Sequence, residues 1–420
     1  SCVASIREST ARMVASANGP VRVVQKPASA MRPAEPSRRA TKLSATSTSP
    51  MRSLAYSPNN ALNAICPYFT MFPLEYPLRV LRGHRKGRPV VLDPFCGRGT
   101  TLFAARSLGL ESWGIDSSRV AVAIAKAKLS NSTAEDALCL AQLLILAIRP
   151  AHVPEGKFFR AAYHRRTLRD LCALREGLLE LEDTDESVLL RAAVLGCMHG
   201  PLLKSGVASY FSNQMPRTFA PKPDYAVTYW QSRGMEAPEV DVLRVVERKL
   251  KLISASRELM GAQFTNVIHG DSTDAENLPA ARDHSVVVTS PPYYGMRTYV
   301  QDQWLRSWFL GGPTTVDYSA GIQLEHTGQD VFASSLGKVW ANMADTDADS
   351  LDMYVRFGVI PSANVDAKAL MYKSLEASGA RFRVVSWRNA SSAHSGKRQA
   401  EQMRADSGAC DEYDFHVVKH

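Results

Sequence analysis

Residues 90–101 read Val-Val-Leu-Asp-Pro-Phe-Cys-Gly-Arg-Gly-Thr-Thr: a short apolar run, a turn with two glycines and the start of a second apolar segment. The apolar run predicts a buried strand, and residues 102–108 are typical of a helix. Gly97 and Gly99 allow the backbone to approach a ligand closely. A second strand, predicted at residues 111–116, ends in Asp116, an acid that can accept hydrogen bonds from ribose hydroxyls. The stretch therefore predicts an α/β fold with a ligand at the carboxyl edge of its sheet.

A second stretch combines a buried strand with a proline turn. Residues 285–288 read Ser-Val-Val-Val and lead into Thr-Ser-Pro-Pro-Tyr-Tyr at residues 289–294. The prolines end the strand, so the chain leaves the sheet where open α/β sheets bind ligands. Ser290 and the carbonyls beside the prolines offer acceptors, and Tyr293 offers an aromatic face. This set suits a planar base with an exocyclic amino group, although a Pro-Pro turn alone more often marks an ordinary loop.

Together the two stretches resemble the S-adenosyl-L-methionine site and the Ser-Pro-Pro-Tyr catalytic loop of DNA amino-methyltransferases, which methylate the exocyclic nitrogen of cytosine or adenine. The resemblance implies a seven-stranded Rossmann-like class I methyltransferase sheet with a helical insertion, in which the last strand is antiparallel. It also implies the site residues. The catalytic set is Ser290, Pro291, Pro292 and Tyr293, and the cofactor-binding set is Phe72, Asp93, Phe95, Gly97, Gly99, Thr100, Asp116 and Asp271.

Serine at the first position of the loop is the commoner choice in the cytosine-N4 enzymes of that family. The resemblance therefore favours cytosine N4 as the methylated atom, with adenine N6 as the alternative. Two further alternatives stay open. One is an RNA methyltransferase that acts on an exocyclic amine, and the other is a non-catalytic nucleic-acid-binding protein with the same fold. The intact acids and glycines of the two motifs argue against the second.

The chain divides into four predicted parts. Residues 1–55 are a basic tail, rich in Ser, Ala, Pro and Arg, predicted to be disordered. It fits a basic arm, or sequence upstream of a start at Met51, better than a transit peptide. Residues 56–129 form the cofactor-binding half of the methyltransferase domain, residues 130–255 a helical insert, and residues 256–420 the catalytic half.

A third strand is predicted at residues 265–271 and ends in Asp271. The insert is the predicted site of target recognition, because too few residues separate this strand from the catalytic loop to hold a recognition domain. Helices are expected over residues 137–148, 163–181, 188–199 and 240–253. A polar-aromatic loop between the last two includes Asn213 and Arg217, which we expect to contact nucleic acid. Lys397 and Arg398, in a glycine turn before the last strand, are expected to contact phosphate. Residues 295–313 are expected to cover the active site.

Composition sets limits on partners and location. The net charge of +9 favours a polyanion, and double-stranded DNA is the expected partner, with a cognate restriction endonuclease as a candidate second partner. Six of the nine excess positive charges lie in residues 1–50, which weakens this argument. No apolar run is long enough to cross a membrane. The seven cysteines form no close pair, so we expect neither a metal site nor disulfides, and a cytoplasmic location.

Overall fold

A computed structural model gives the structure of the chain. It describes residues 61–68, 73–201, 208–216, 220–254, 265–279, 282–295, 300–316, 324–325, 327–360, 363–390 and 411–419. Four of the predicted site residues lie outside these ranges, namely Phe72, Arg217, Lys397 and Arg398, and so does the predicted tail over residues 1–55.

One mixed sheet organises the described chain. Its strands are β1 (Val90–Asp93), β2 (Ser112–Asp116), β3 (Thr265–His269), β4 (His284–Thr289), β5 (Leu351–Val359), β6 (Phe382–Asn389) and β7 (Asp411–Lys419). They lie in the order β3-β2-β1-β4-β5-β7-β6. The first five strands are mutually parallel, and β7 runs antiparallel to both β5 and β6. This confirms the predicted α/β fold, a seven-stranded Rossmann-like sheet of the class I methyltransferase type with its last strand inserted antiparallel.

Helices occupy most of the remaining described chain. They are α1 (Glu75–His84), α2 (Thr100–Leu108), α3 (Arg119–Leu129), α4 (Ala134–Ala147), α5 (Lys157–Ala162), α6 (Arg165–Glu180), α7 (Asp185–Cys197), α8 (Pro223–Gln231), α9 (Val242–Ser254), α10 (Val300–Phe309), α11 (Gln329–Ala344) and α12 (Ala367–Ala377). Among the described helices, none is long and apolar enough to span a membrane.

The core explains why β1, β4 and β5 lie at the centre of the sheet. Their side chains are almost wholly buried, as expected for parallel strands covered on both faces. On one face Leu92, Val287 and Met353 pack with apolar residues of α11 and α12. The indole N–H of Trp340 donates to the Ser374 hydroxyl at 2.9 Å inside this core. The carboxyl ends of β1 and β4 are thereby held side by side.

The helical insert, α4 to α9, packs on the outer side of α3 and on the segment before α1. A Cβ atom placed on Gly196 of α7 would lie 2.4 Å from the carbonyl oxygen of Ile65, so the two backbones are in close contact. Lys126 of α3 forms an ion pair with Asp183 at 2.6 Å, and the Ser130 hydroxyl donates to the Asp185 carbonyl at 2.8 Å. The structure thus confirms the predicted helical insertion.

The helix α10 packs against the insert, and the expectation that residues 295–313 cover the active site stays a prediction. Its Trp304 and Trp308 are buried against the insert, with Trp304 in edge contact with Phe158 at 4.8 Å between ring centroids. The Trp304 N–H donates to the Pro221 carbonyl at 2.9 Å, and the Arg175 Nε donates to the Trp308 carbonyl at 2.8 Å. Tryptophans four residues apart lie on one helical face, so this face of α10 packs on the insert.

Candidate active site

The glycine turn between β1 and α2 needs its two glycines for different reasons. Gly97 and Gly99 have φ angles of +51° and +72°, a region that favours glycine. A Cβ atom on Gly99 would lie 2.8 Å from the Cβ of Ala125 on α3, so this position must stay small for α2 and α3 to pack. A Cβ atom on Gly97 would meet no described atom within 4 Å. Gly97 therefore leaves its backbone open for a ligand to approach.

Asp116, at the end of β2, holds this turn. Its Oδ2 accepts the Gly97 N–H at 2.8 Å, and its Oδ1 accepts the Ser118 N–H at 2.8 Å. Burial raises the pKa of the Asp116 carboxyl, while these two backbone hydrogen bonds oppose the shift. Each carboxylate oxygen can accept a second bond. The side chain can therefore shape the turn and still take a hydroxyl of a ligand.

These bonds change the expected outcome of Asp116→Ala. The sequence alone suggests weaker cofactor binding with an intact fold. In the structure the substitution also removes the acceptors of two backbone N–H groups, and we expect a stability loss of about 1–3 kcal/mol. We predict that Asp116→Ala weakens S-adenosyl-L-methionine binding at least about 10-fold and lowers the melting temperature.

Calorimetric titration and thermal unfolding measure these two effects separately. Asp274→Ala is a suitable control, because Asp274 only caps a short turn by accepting the Glu276 N–H at 3.0 Å. We expect this control to retain cofactor affinity. Unchanged affinity in Asp116→Ala itself would remove Asp116 from the cofactor site.

Asp271 follows β3 at the same edge of the sheet. Its Oδ1 accepts both the N–H and the hydroxyl of Thr273, each at 2.9 Å. The neighbouring Ser272 is buried, and its hydroxyl donates to the carbonyl of Pro94 in the glycine turn. The loop after β3 is therefore tied to the loop after β1. Asp271 and the glycine turn lie close enough to contact one small ligand.

Tyr68 is a site residue that the sequence did not single out. Its hydroxyl lies 3.5 Å from the Ser118 hydroxyl, beside the Asp116 carboxylate. Burial and the charge of Asp116 raise the pKa of this phenol, so Tyr68 stays neutral. The resemblance implies a cofactor contact at Phe72, four residues further along the chain. The aromatic residues lie so close together in the sequence that their spacing does not indicate which ring reaches Asp116.

Asp93 connects the two motifs. Its Oδ1 accepts the Phe95 N–H at 3.1 Å and the Thr289 hydroxyl at 2.7 Å. The Thr101 hydroxyl, in the first turn of α2, donates to the Val288 carbonyl at 3.1 Å. Thr289 is the last residue of β4, so these bonds join the glycine turn directly to the start of the Ser-Pro-Pro-Tyr loop. The adjacent Thr100, the first residue of α2, is likewise buried.

The buried Asp93 predicts a pH dependence of stability. Burial raises the pKa of its carboxyl from 3.8 to about 6, although three hydrogen bonds oppose the shift. The folded chain therefore binds this proton more tightly than the unfolded chain. The contribution of Asp93 is most favourable below about pH 4, falls as the pH rises to about 6, and is then constant. The full difference is about 3 kcal/mol.

We predict that Asp93→Asn removes this dependence, because the amide carries no charge and its oxygen still accepts the Phe95 and Thr289 bonds. Relative to the unchanged chain, the variant gains free energy of unfolding between pH 4 and pH 7. Urea unfolding of both proteins at several pH values measures the difference, since other groups titrate equally in both. A difference that does not vary with pH would contradict the raised pKa.

The candidate catalytic loop begins at Ser290, immediately beyond β4. Ser290 is half-buried and Pro291 is buried, whereas Pro292 is partly exposed. Neither proline has an N–H, so the loop offers carbonyl acceptors here without competing donors. Because β1 and β4 are neighbours, Ser290 lies next to the turn that holds Gly97 and Gly99. The arrangement places an acceptor group beside the candidate cofactor site, at a point where the strand order reverses direction.

Tyr293 is more enclosed than the sequence suggests. Only 7% of the residue is exposed, and its ring makes an edge contact with Phe357 at 6.4 Å between centroids. Its hydroxyl donates to the carboxylate of Glu412 on β7. Burial raises the pKa of Glu412, and the bond from Tyr293 and the charge of Arg356 oppose the shift. The last strand therefore fixes the position of this tyrosine, while a stacking role for its ring stays a prediction.

Asn213 does not fit the predicted role in nucleic-acid contact. The residue is 4% exposed, and its side-chain amide donates to the carbonyls of Ala161 and Met235 at 3.4 and 3.5 Å. It links segments inside the insert. Three arginines, Arg165, Arg166 and Arg169, are exposed at the start of α6. Arg166 pairs there with Glu239 at 3.1 Å.

The fold and the two joined motifs define a class I methyltransferase architecture with a candidate nucleotide-type site. The family model for N6/N4 DNA methylases matches residues 25–127, about a quarter of the chain, which include the glycine turn and Asp116. Solved structures of the rRNA methyltransferase AviRa from Streptomyces viridochromogenes are similar at 13% identity. They cover 88% of this chain and 96% of their own, with TM-scores of 0.31 and 0.30. No curated protein matches the sequence significantly.

Proposed function

We propose that this chain is an S-adenosyl-L-methionine-dependent DNA methyltransferase that methylates the exocyclic amine of a flipped base, with cytosine N4 as the target atom. One observation carries the proposal: the Thr289 hydroxyl bonds to the Asp93 carboxylate at 2.7 Å. This bond holds the Ser-Pro-Pro-Tyr loop beside the glycine turn. A methyl donor at the turn and an amine at Ser290 would then be neighbours.

The residues of the turn fit S-adenosyl-L-methionine. The open space at Gly97 admits a ligand against the backbone, and Asp116 has acceptor capacity left for a ribose hydroxyl. Asp271, on the adjacent loop, can accept from an adenine amino group. When bound, the cofactor supplies an electrophilic methyl group on a sulfonium. Phe95 packs against the apolar core and so helps to fix the position of the turn.

Ser290 and its loop would activate the amine. An exocyclic amine is a poor nucleophile, because its lone pair is delocalised into the base ring. Acceptors at both of its N–H groups favour a pyramidal nitrogen whose lone pair can point at the methyl donor. The Ser290 hydroxyl and a carbonyl beside Pro291 or Pro292 provide such acceptors. No strong base is needed if the proton leaves after the methyl group has been transferred.

The target base must leave the duplex to reach this loop, and unstacking costs a few kcal/mol. Tyr293 is the aromatic group of the loop and would hold the extruded base by stacking. The insert is the proposed site of target recognition, with Arg217 as a candidate contact. Lys397 and Arg398 are candidate phosphate contacts. A restriction endonuclease with the same recognition sequence is a proposed partner.

Nucleoside mass spectrometry tests the function directly. DNA and RNA from cells that express the chain are digested and compared with those from cells that express Ser290→Ala. We expect N4-methylcytosine in the DNA of the first culture alone. N6-methyladenine in its place would mean that adenine N6 is the target atom. Methylated bases found in RNA alone would mean that RNA, and not DNA, is the substrate. Absence of any new methylated nucleoside, with the chain folded and abundant, would argue for a non-catalytic protein.

A further inference from the structure

Three cationic side chains are buried along one short segment of the chain. The segment is residues 61–68, which precede α1 and end at Tyr68. Lys128 of α3 is 1% exposed, Arg306 of α10 is 3% exposed, and Arg98 of the glycine turn is 5% exposed. Charged side chains are rarely buried so completely unless they are paired. Together they form what we call the cation cluster.

Each cation lies against a different residue of the segment. The Lys128 Nζ donates to the Asn63 side-chain oxygen at 2.8 Å. The Arg306 Nη1 donates to the Pro67 carbonyl at 2.7 Å. The charge of Arg98 acts on both Cys66 of the segment and Lys128. The three cations are therefore grouped along the segment, and one of them belongs to the glycine turn.

Within the described part of the chain, no carboxylate neutralises the cluster. The three cations take part in none of the ion pairs that the structure shows there. Burial lowers the pKa of Arg98 to about 10, and burial together with the charge of Arg98 lowers the pKa of Lys128 well below its ordinary value. The cluster thus repels itself and lacks a compensating negative charge.

Two nitrogen atoms of the cluster are buried and have no hydrogen-bond acceptor among the residues that the structure describes. They are the Arg98 Nε and the Arg306 Nη2. A buried cationic donor without an acceptor is costly, and such groups are usually paired or ligand-bound. An anion such as a carboxylate would give such donors an acceptor and offset the positive charge of the cluster.

We propose that Arg98 and Arg306, with Lys128 behind them, bind the carboxylate at the amino-acid end of the methyl donor. The inference rests on the proposed function, because that carboxylate is the one anionic group of S-adenosyl-L-methionine. The segment provides the geometric link. At one end Tyr68 contacts Ser118 beside Asp116, where the ribose is proposed to lie. The cation cluster lies along the rest of the segment, and Arg98 itself stands between Gly97 and Gly99.

The test compares two ligands on three proteins by calorimetry. The ligands are S-adenosylhomocysteine, which keeps the carboxylate, and its decarboxylated analogue. Wild-type protein should prefer the first by about 10- to 100-fold, the range expected for hydrogen bonds to a charged group. Arg98→Met should reduce that preference to about 2-fold or less. The ratio of the two affinities is informative, because a general loosening of the turn would lower the affinity for both ligands equally and leave the ratio unchanged.

Arg106→Met is the matched control. Arg106 is also buried and lies on α2 close to the turn, but it donates to the carbonyls of Lys128 and Ser130, both at 3.3 Å. We expect this variant to lose stability and keep the ligand preference. If Arg98→Met does not fold, Arg306→Met should show the same loss of preference.

The outcomes separate the inference from the proposed function. A wild-type protein that binds both ligands equally would overturn the carboxylate site and leave the methyltransferase proposal standing. An Arg98→Met or Arg306→Met variant that keeps the full preference for S-adenosylhomocysteine would also overturn the carboxylate site and leave the methyltransferase proposal standing. A wild-type protein that binds neither ligand would overturn the proposed function itself.

Discussion

Replacing Ser290 with alanine will lower the single-turnover rate of methyl transfer by about 100-fold or more, the usual effect of deleting a group that stabilises the transition state directly. The hydroxyl is proposed to accept an N–H of the target amine, and no other side chain of the loop can replace it. Cofactor affinity should change by less than about 2-fold, because Asp116 and the glycine turn, and not Ser290, are the proposed cofactor contacts.

Ser285→Ala is the matched control for this experiment. Ser285 lies on the same strand, β4, but at the end opposite to the active site. The variant should methylate DNA at the wild-type rate. A wild-type rate in Ser290→Ala would remove the serine from the mechanism. Formation of 5-methylcytosine would overturn amine methylation altogether, because that product requires attack at a ring carbon.

The sequence predicted best the elements whose signals are local. The helices predicted at residues 102–108, 163–181 and 240–253 lie within two residues of the bounds that the structure shows, because each has a clear apolar period. Two helices of the insert, Lys157–Ala162 and Pro223–Gln231, were missed. Both are short, and their aromatic residues are equally typical of strands and loops.

The candidate site could be predicted only where the residues of a single motif determine the local backbone conformation. Gly97 and Gly99 indicate the turn directly, because only glycine adopts such φ angles readily. Asn213 looks like a base-reading side chain, yet it bonds to backbone carbonyls inside the insert. A polar residue in a loop gives no indication of whether its partners are solvent, nucleic acid or buried backbone.

Contacts between distant parts of the chain could not be predicted from the sequence. Glu412 bonds to Tyr293 across 119 residues, and Arg306 bonds to Pro67 across 239. No local pattern links either pair. The tryptophans of α10 illustrate the same limit, because their spacing predicts a buried helical face without identifying the surface that covers it. Such pairings follow only when the strand order and the docking of the insert are known.

We expect the second large effect on activity from Tyr293→Ala. This substitution should weaken binding of the extruded base. Stacking on an aromatic side chain contributes about 1–3 kcal/mol per base, so kcat/KM on matched duplex DNA should fall by about 5- to 150-fold. A duplex in which the target base is already mismatched should recover part of this loss, because extrusion then costs less. Single-turnover methylation of matched and mismatched duplexes measures both.

The structure allows the ring and the hydroxyl of Tyr293 to be tested separately. Tyr293→Phe keeps the ring and removes only the bond to Glu412, whereas Glu412→Gln keeps an oxygen that can accept that bond. If stacking is the main contribution, both variants should retain most of the wild-type rate. If the ring must be held by β7 to act, Tyr293→Phe should lose rate while Glu412→Gln does not, because the glutamine still anchors the tyrosine.

The mismatch also distinguishes the two catalytic-loop residues. A mismatch lowers the cost of extrusion and so compensates for a weaker stack, but it supplies no acceptor for the amine. It should therefore leave Ser290→Ala as slow as before while it partly restores Tyr293→Ala. Equal rescue of both would mean that Ser290 acts in base extrusion, and absence of rescue in Tyr293→Ala would mean that its ring supports the loop without stacking on the base. The second outcome would agree with the 7% exposure of Tyr293, because a ring packed against Phe357 and fixed by Glu412 then serves as part of the core.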